Sequence, residues 1–168
     1  MKFVARFDKR ITENLAKKFG KIDESIFSKS DAERVGDSMV DEMKDMISKG
    51  ISPILGWGRF PAYKNPKEGY PETVLEEYPD KRKTPVNLKL TGDFLRALQA
   101  KVVIAGKKAR IIIGYWDPVE ARKEEQHREG HNGQPKRPTI PLGGKGERFA
   151  KRIEEIYLKV IQRNVKKL

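Results

Sequence analysis

The chain has 168 residues, with 36 Lys and Arg against 24 Asp and Glu, giving a net charge of +12. That length suits one domain with its own core, and the absence of cysteine excludes a disulfide framework or a Cys-based zinc site. No apolar run approaches the ~18–20 residues of a membrane span, and Met1 to Asp8 lacks the apolar core of a signal peptide, so the expected product stays in the cell that makes it.

Phe3 to Phe7 reads as a short strand. Asp8 then caps an expected helix to about Phe19, with Ile11, Leu15 and Phe19 on one face and Gly20 as its stop. Ser30-Asp31-Ala32-Glu33 reads as a capping box, in which Ser and Glu side chains each satisfy an orphan backbone N–H. The helix behind it carries Ala32, Val35, Met39, Met43 and Met46 on one stripe, opposite an acidic face, and Gly50 and Pro53 end it.

Residues 51–87 hold six of the ten prolines, together with Trp57, Phe60, Tyr63, Tyr70 and Tyr78. Proline removes a donor and clashes with the preceding turn, so this stretch is not helical throughout. Its aromatics set it apart from a flexible linker, and loops of this length are often functional. It reads as an extended arm whose five aromatics dock on a neighbouring subunit, or as a loop folded over its own core.

Thr91 reads as the cap of a short helix, with Asp93 favoured in the first turn by the helix dipole and Phe94, Leu95 and Leu98 on the buried face. Lys101 to Ala105 and Ala109 to Trp116 predict a β-hairpin turning at Gly106-Lys107-Lys108, and its second strand is rich in β-branched and aromatic residues. Asp117-Pro118 fits a helix start that runs to about Glu129. Gly130 to Gly146 is rich in turn residues, with an extended piece from Pro138 to Leu142 and a hinge at 143–146. A last helix, Glu147 to Asn164, shows an apolar stripe through Phe149, Ile153, Ile156, Val160 and Ile161. The whole reads as one α+β domain, a small and mainly antiparallel sheet flanked by amphipathic helices.

Charge is unevenly distributed. Residues 1–22 carry seven Lys and Arg against two acids, residues 23–50 four against eight, and residues 145–168 eight against three. Basic ends and an acidic second segment can pair head to tail between subunits, or they can set positive charge against DNA phosphate. The candidate DNA-facing residues are Lys107, Lys108 and Arg110 at the hairpin.

No catalytic constellation emerges. There is no Gly-x-Ser-x-Gly elbow and no cysteine nucleophile. His127 and His131 stand four apart, but Gly130 ends the helix between them, so no metal site is expected. His131-Asn132-Gly133 is similar to a fragment of the ββα-metal nucleases, without their paired knuckle or second downstream histidine. Gly143-Gly144-Lys145-Gly146 lacks the wider spacing of a phosphate-binding loop. The expectation is a protein that is not an enzyme and uses no cofactor.

The order of motifs resembles the tail-completion or minor-tail proteins of tailed bacteriophages, the virion-morphogenesis group described as putative tail components. The similarity covers roughly residues 30–165. Thr91, Gly92 and Leu95 match a Thr-Gly pair followed by Leu that opens a helix ahead of the hairpin. His127 and Gly130 match a His-x-x-Gly, and Arg137 and Pro138 match the Arg-Pro element that follows it. Where that group has an aromatic soon after Arg-Pro, this chain has Thr139-Ile140-Pro141. The resemblance implies a structural virion protein in a ring, commonly six-fold, at the neck or proximal tail. Its partners would be further copies of itself, other neck or tail proteins and, transiently, the passing genome. It would be assembled in the host cytoplasm. The alternative is a non-specific DNA-binding protein.

Overall fold

In a computed structural model the described residues are 2–6, 28–54, 58–62, 76–79, 86–88, 91–105, 108–130, 134–141 and 150–165. Strand β1 (Lys2–Arg6), helix α1 (Lys29–Ser48), helix α2 (Asp93–Arg96), strands β2 (Leu98–Ala105) and β3 (Lys108–Tyr115), and helices α3 (Pro118–Glu129) and α4 (Ala150–Val165) follow in chain order. The strands make one antiparallel sheet, ordered β1-β3-β2. This is the α+β architecture expected from the sequence. The expected helix at 8–19 and hinge at 143–146 lie outside the described residues.

Helix α1 is the largest apolar investment. Ala32, Val35, Gly36, Met39, Val40, Met43 and Ile47 are buried at three- and four-residue intervals, which puts them on one side of a helix. That side lies on β2 and β3. The approach is close at Gly36, where a Cβ would stand 2.9 Å from Ala100 Cβ and 3.1 Å from Ile111 Cγ2. Glycine there is required by contact distance. The core continues through Phe60, Val86, Leu88, Phe94, Leu98, Ile113, Tyr115 and Ile140.

The capping box sits two residues earlier than expected. Ser28 is the N-cap: its Oγ accepts from Asp31 N at 3.2 Å, and Asp31 Oδ2 accepts from Ser28 N at 3.0 Å. Glu33 instead faces Lys29 on the exposed surface. The earlier start makes Asp31 a joint between helices, because Arg163 and Asn164 of α4 also donate to its carboxylate. At the other end Gly50 (φ 73°) follows the cap residue Lys49. Gly50 N donates to Ile47 O and Ile51 N to Met46 O, both at 2.9 Å, which is the Schellman arrangement.

Three boundaries differ from the sequence reading. Leu98 belongs to β2 and not to the short helix, because in register it faces Tyr115 across the sheet. The hairpin therefore starts three residues earlier than expected, and β3 ends at Tyr115. Helix α4 is described from Ala150, so its expected start and Phe149 lie outside the described residues. Within its stripe Ile161 is buried, Ile156 and Val160 are partly buried, and Tyr157 is an additional buried residue.

Candidate functional site

The residues of the His-x-x-Gly and Arg-Pro motifs meet where the segment 134–141 returns onto α3. Asp117 caps α3, its Oδ1 accepting from Val119 N at 2.8 Å, with Pro118 at the first helical position as the sequence implied. Gly130 ends the helix in the left-handed region at φ 77°. A Cβ at Gly130 would lie 2.5 Å from Gln134 O, so the turn needs glycine both for its backbone angle and for space. The chain reverses there, and Arg137 N donates to His127 O at 2.6 Å.

Glu124 holds the returning segment. It is fully buried, and its Oε1 accepts from Thr139 N at 3.3 Å and Ile140 N at 3.2 Å. Arg128, one turn on, donates to the same oxygen at 2.6 Å and to Ile140 O at 2.5 Å. A coil segment without a strand partner must find donors and acceptors elsewhere, and one Glu-Arg pair supplies them. This explains why Pro138 to Pro141 is buried yet forms no ladder. The extended piece expected there is held by side chains.

Rings fill the space beneath. Phe94 stacks on Tyr115 at a centroid distance of 4.6 Å and meets His127 edge-on at 5.3 Å. The Tyr115 hydroxyl lies 3.5 Å from Thr139 Oγ1. Burial pushes the Tyr115 hydroxyl far above the ordinary tyrosine value, and the Glu124 and Glu120 charges add to this, so the ring stays protonated. His127 is thus a packing residue. His131 lies outside the described residues, and among the described residues no three His, Cys, Asp or Glu group to hold a metal.

Thr91 and Gly92 act one position from where the sequence put them. Gly92, at φ 87°, is the N-cap of the four-residue α2, a backbone angle that favours glycine. Thr91 Oγ1 accepts from Asp93 N at 3.3 Å, and its hydroxyl donates to the Asp93 carboxylate, which Arg96 also meets. Those two donors hold the Asp93 carboxyl below its ordinary value. Leu95 is partly buried against the core.

Arg137 and Pro138 join this unit to the segment after α1. Arg137 is buried to 1 % exposure, and its Nε donates to Pro61 O at 3.0 Å. The Ser52 hydroxyl donates to Pro138 O at 3.0 Å. Residues 50–54 and 58–60 come together, with an Ile51–Arg59 bridge and Phe60 N donating to Gly50 O at 2.7 Å. Phe60, expected at a subunit interface, is buried in the chain's own core, so this part of 51–87 is a loop over that core. Tyr78 is half-buried, and Trp57, Tyr63 and Tyr70 lie outside the described residues.

Two further surfaces are open. Beside β2, a groove of about 460 Å³ runs between Glu33 and Asp37 of α1 and the strand residues Ala100 to Val102. A second, of about 310 Å³, continues past Asp41 and Lys44 to Leu98 and Gln99. On the sheet face turned away from α1, Gln99, Lys101, Val103 and Arg110 are exposed. Lys108 is the first residue of β3, and Lys107 lies outside the described residues. Glu124, Arg128, Thr139 and Ser52 were missed from sequence. The Glu124–Arg128 spacing of four was visible, but nothing in the sequence says that the pair would be buried under a loop. No protein-family model matches the chain, and no curated protein or solved structure matches it significantly.

Proposed function

We propose that this chain is a structural virion protein of a tailed phage. It would form a ring, six-fold by the resemblance, at the neck or proximal tail, where other neck or tail proteins adjoin it and DNA passes. The observation that carries the reading is the sheet order β1-β3-β2, which leaves the outer edges of β1 and β2 without a strand partner among the described residues. Unpaired edges are templates for another chain. Two different edges on one subunit meet head to tail, the geometry that closes rings. The groove along β2 brings Glu33 and Asp37 together with Lys29 and Lys101, a mixed-charge lining that a head-to-tail neighbour can match. The reading assigns no catalysis and no cofactor; His127 and Gly130 hold the returning 134–141 segment through Arg137 N and the Gly130 turn. A monomeric, non-specific DNA-binding protein is the competing reading, favoured by the exposed Lys101 and Arg110.

Light scattering after size exclusion tests the assembly. The expected result is a discrete oligomer, six-fold in projection images. Lys101→Pro and Val102→Pro then locate the contact. Successive residues of an antiparallel edge strand alternate between inward and outward N–H groups, so one variant blocks the outer edge and yields a folded monomer. The other breaks the β2–β3 ladder. A wild-type chain that stays monomeric at all concentrations and binds duplex DNA tightly defeats the assembly reading.

A further inference from the structure

The face of the sheet turned away from α1 carries exposed cations and no acid from its strands. The strands contain Lys2, Arg6, Lys101, Lys108 and Arg110 and no Asp or Glu. Strand residues alternate between faces. Ala100 and Ile111 meet Gly36 of α1, so the opposite parity, Gln99, Lys101 and Val103 with Arg110 and Ile112, points away from that helix. The register sets Arg6 opposite Arg110, Arg110 opposite Val103, and Ile112 opposite Lys101.

The register places Arg6 beside Arg110 on strands that hold no acid, and the Arg110 guanidinium, exposed on this face, suits phosphate oxygens. At the other end of the face Lys101 Nζ lies 3.7 Å from the ring centroid of the partly exposed Trp116, which adds an aromatic plane beside the cations. The acids stand on the opposite side of the sheet, where α1 carries Glu33, Asp37, Asp41 and Asp45. On that helix these acids stand among Lys29, Arg34 and Lys44, so an all-basic set of charges is particular to the strands.

We infer that this basic face binds the sugar–phosphate backbone of duplex DNA without reading its sequence. The inference rests on the assembly reading for its setting, a ring whose sheets turn this face toward the genome, but binding itself needs no ring. Phosphate contact of this kind loses affinity as salt rises and lets the duplex slide.

The test is fluorescence anisotropy of the full chain with two duplexes of about 25 base pairs and unrelated sequence, between about 50 and 200 mM salt, over which the Debye length falls about twofold. The expected result is equal affinity for both duplexes and a steep salt dependence. Arg6→Gln with Arg110→Gln should weaken binding about tenfold at the lowest salt and cut the slope by about 1.8, since each phosphate contact contributes about 0.9. The single variant Lys101→Gln should cut it by about 0.9. The comparison chain, Arg122→Gln with Lys159→Gln, changes net charge equally on exposed positions elsewhere and should leave the slope unchanged. Equal losses in the two double variants, a preference for one duplex, or no binding at the lowest salt overturns the inference. So does capture of polyglutamate in preference to DNA, which would assign the face to an acidic protein. A monomer that binds through this face keeps the inference and defeats the ring; a ring that ignores DNA does the reverse.

Discussion

Around Glu124, Arg128 and the backbone N–H groups of Thr139 and Ile140 surround one buried carboxylate. Across the sheet, Arg6 and Arg110 stand opposite each other in strands that hold no acid. Both regions are charged, yet the first encloses its charge and satisfies it within the chain. The second exposes Arg110 on strands whose charges are all of one sign. A charge that folding has paired contributes to the native state and has little left for a ligand. A charge that folding leaves exposed contributes little to stability and is available to an outside anion. The comparison separates residues that address the fold from residues that address a partner, a distinction that composition alone blurs.

The largest effect expected is at the clasp. Glu124→Leu removes the acceptor of Thr139 N and Ile140 N and strands Arg128, and breaking a buried pair costs about 3–5 kcal/mol. Arg128 keeps 17 % side-chain exposure and can reach water, so a loss of about 3 kcal/mol in urea denaturation is expected. Glu124→Gln keeps an acceptor oxygen and should cost less. If the two variants lose equally, the backbone bonds to Thr139 and Ile140 are not what the carboxylate is for. DNA affinity, corrected for the folded fraction, should be untouched by either.

A smaller effect is expected where α1 meets the sheet. Gly36→Val places methyl groups where even a Cβ would meet Ala100 and Ile111 at 2.9 and 3.1 Å. Overpacking of this kind costs about 1–3 kcal/mol. Because the strain falls on the face opposite Arg110, the salt slope of DNA binding should not change. A changed slope would mean that the two faces are coupled, and the contrast drawn between them would need revision.

The smallest stability effect lies at Ser28 and Asp31. Ser28→Ala removes a cap and should cost about 1 kcal/mol. Burial pushes the Asp31 carboxyl up, but the Ser28 and Asn164 hydrogen bonds and the Arg163 charge outweigh it and hold the group below its ordinary 3.8. The unfolded chain therefore takes up that proton first. Asp31's contribution is complete above its ordinary value and is lost as pH falls through the lowered folded one. Urea midpoints measured from pH 5 downward should fall less steeply for Asp31→Asn than for the natural chain. On the sheet, Arg110→Gln at an exposed position should leave thermal stability nearly unchanged, sharpening the contrast with Glu124.

Much of the scaffold was legible because it is written in local patterns. The α1 stripe, the Asp117-Pro118 start, the Gly130 stop and the hairpin follow from periodicity, capping and β propensity, which act between near neighbours. Boundaries slipped where a distant residue decided them. The α1 cap moved to Ser28, where Asp31 also meets Arg163 and Asn164 from the far end of the chain. Leu98 passed from helix to strand because Tyr115 faces it across the sheet. The surfaces were less legible. Phe60 looked like an interface aromatic and is core, and nothing in the sequence said that His127 would pack on Phe94.

By itself the sequence determined that this is an α+β chain with an acidic amphipathic helix, a basic hairpin and glycines at helix ends, because those depend on residue type at short spacing. Tertiary structure alone decided that Glu124 would be buried under Thr139 and Ile140, that Gly36 would touch the sheet, and that Arg6 would stand opposite Arg110. Each of these joins residues far apart in the chain, and the free energy of burial or repulsion exists only once folding has brought them within a few ångströms.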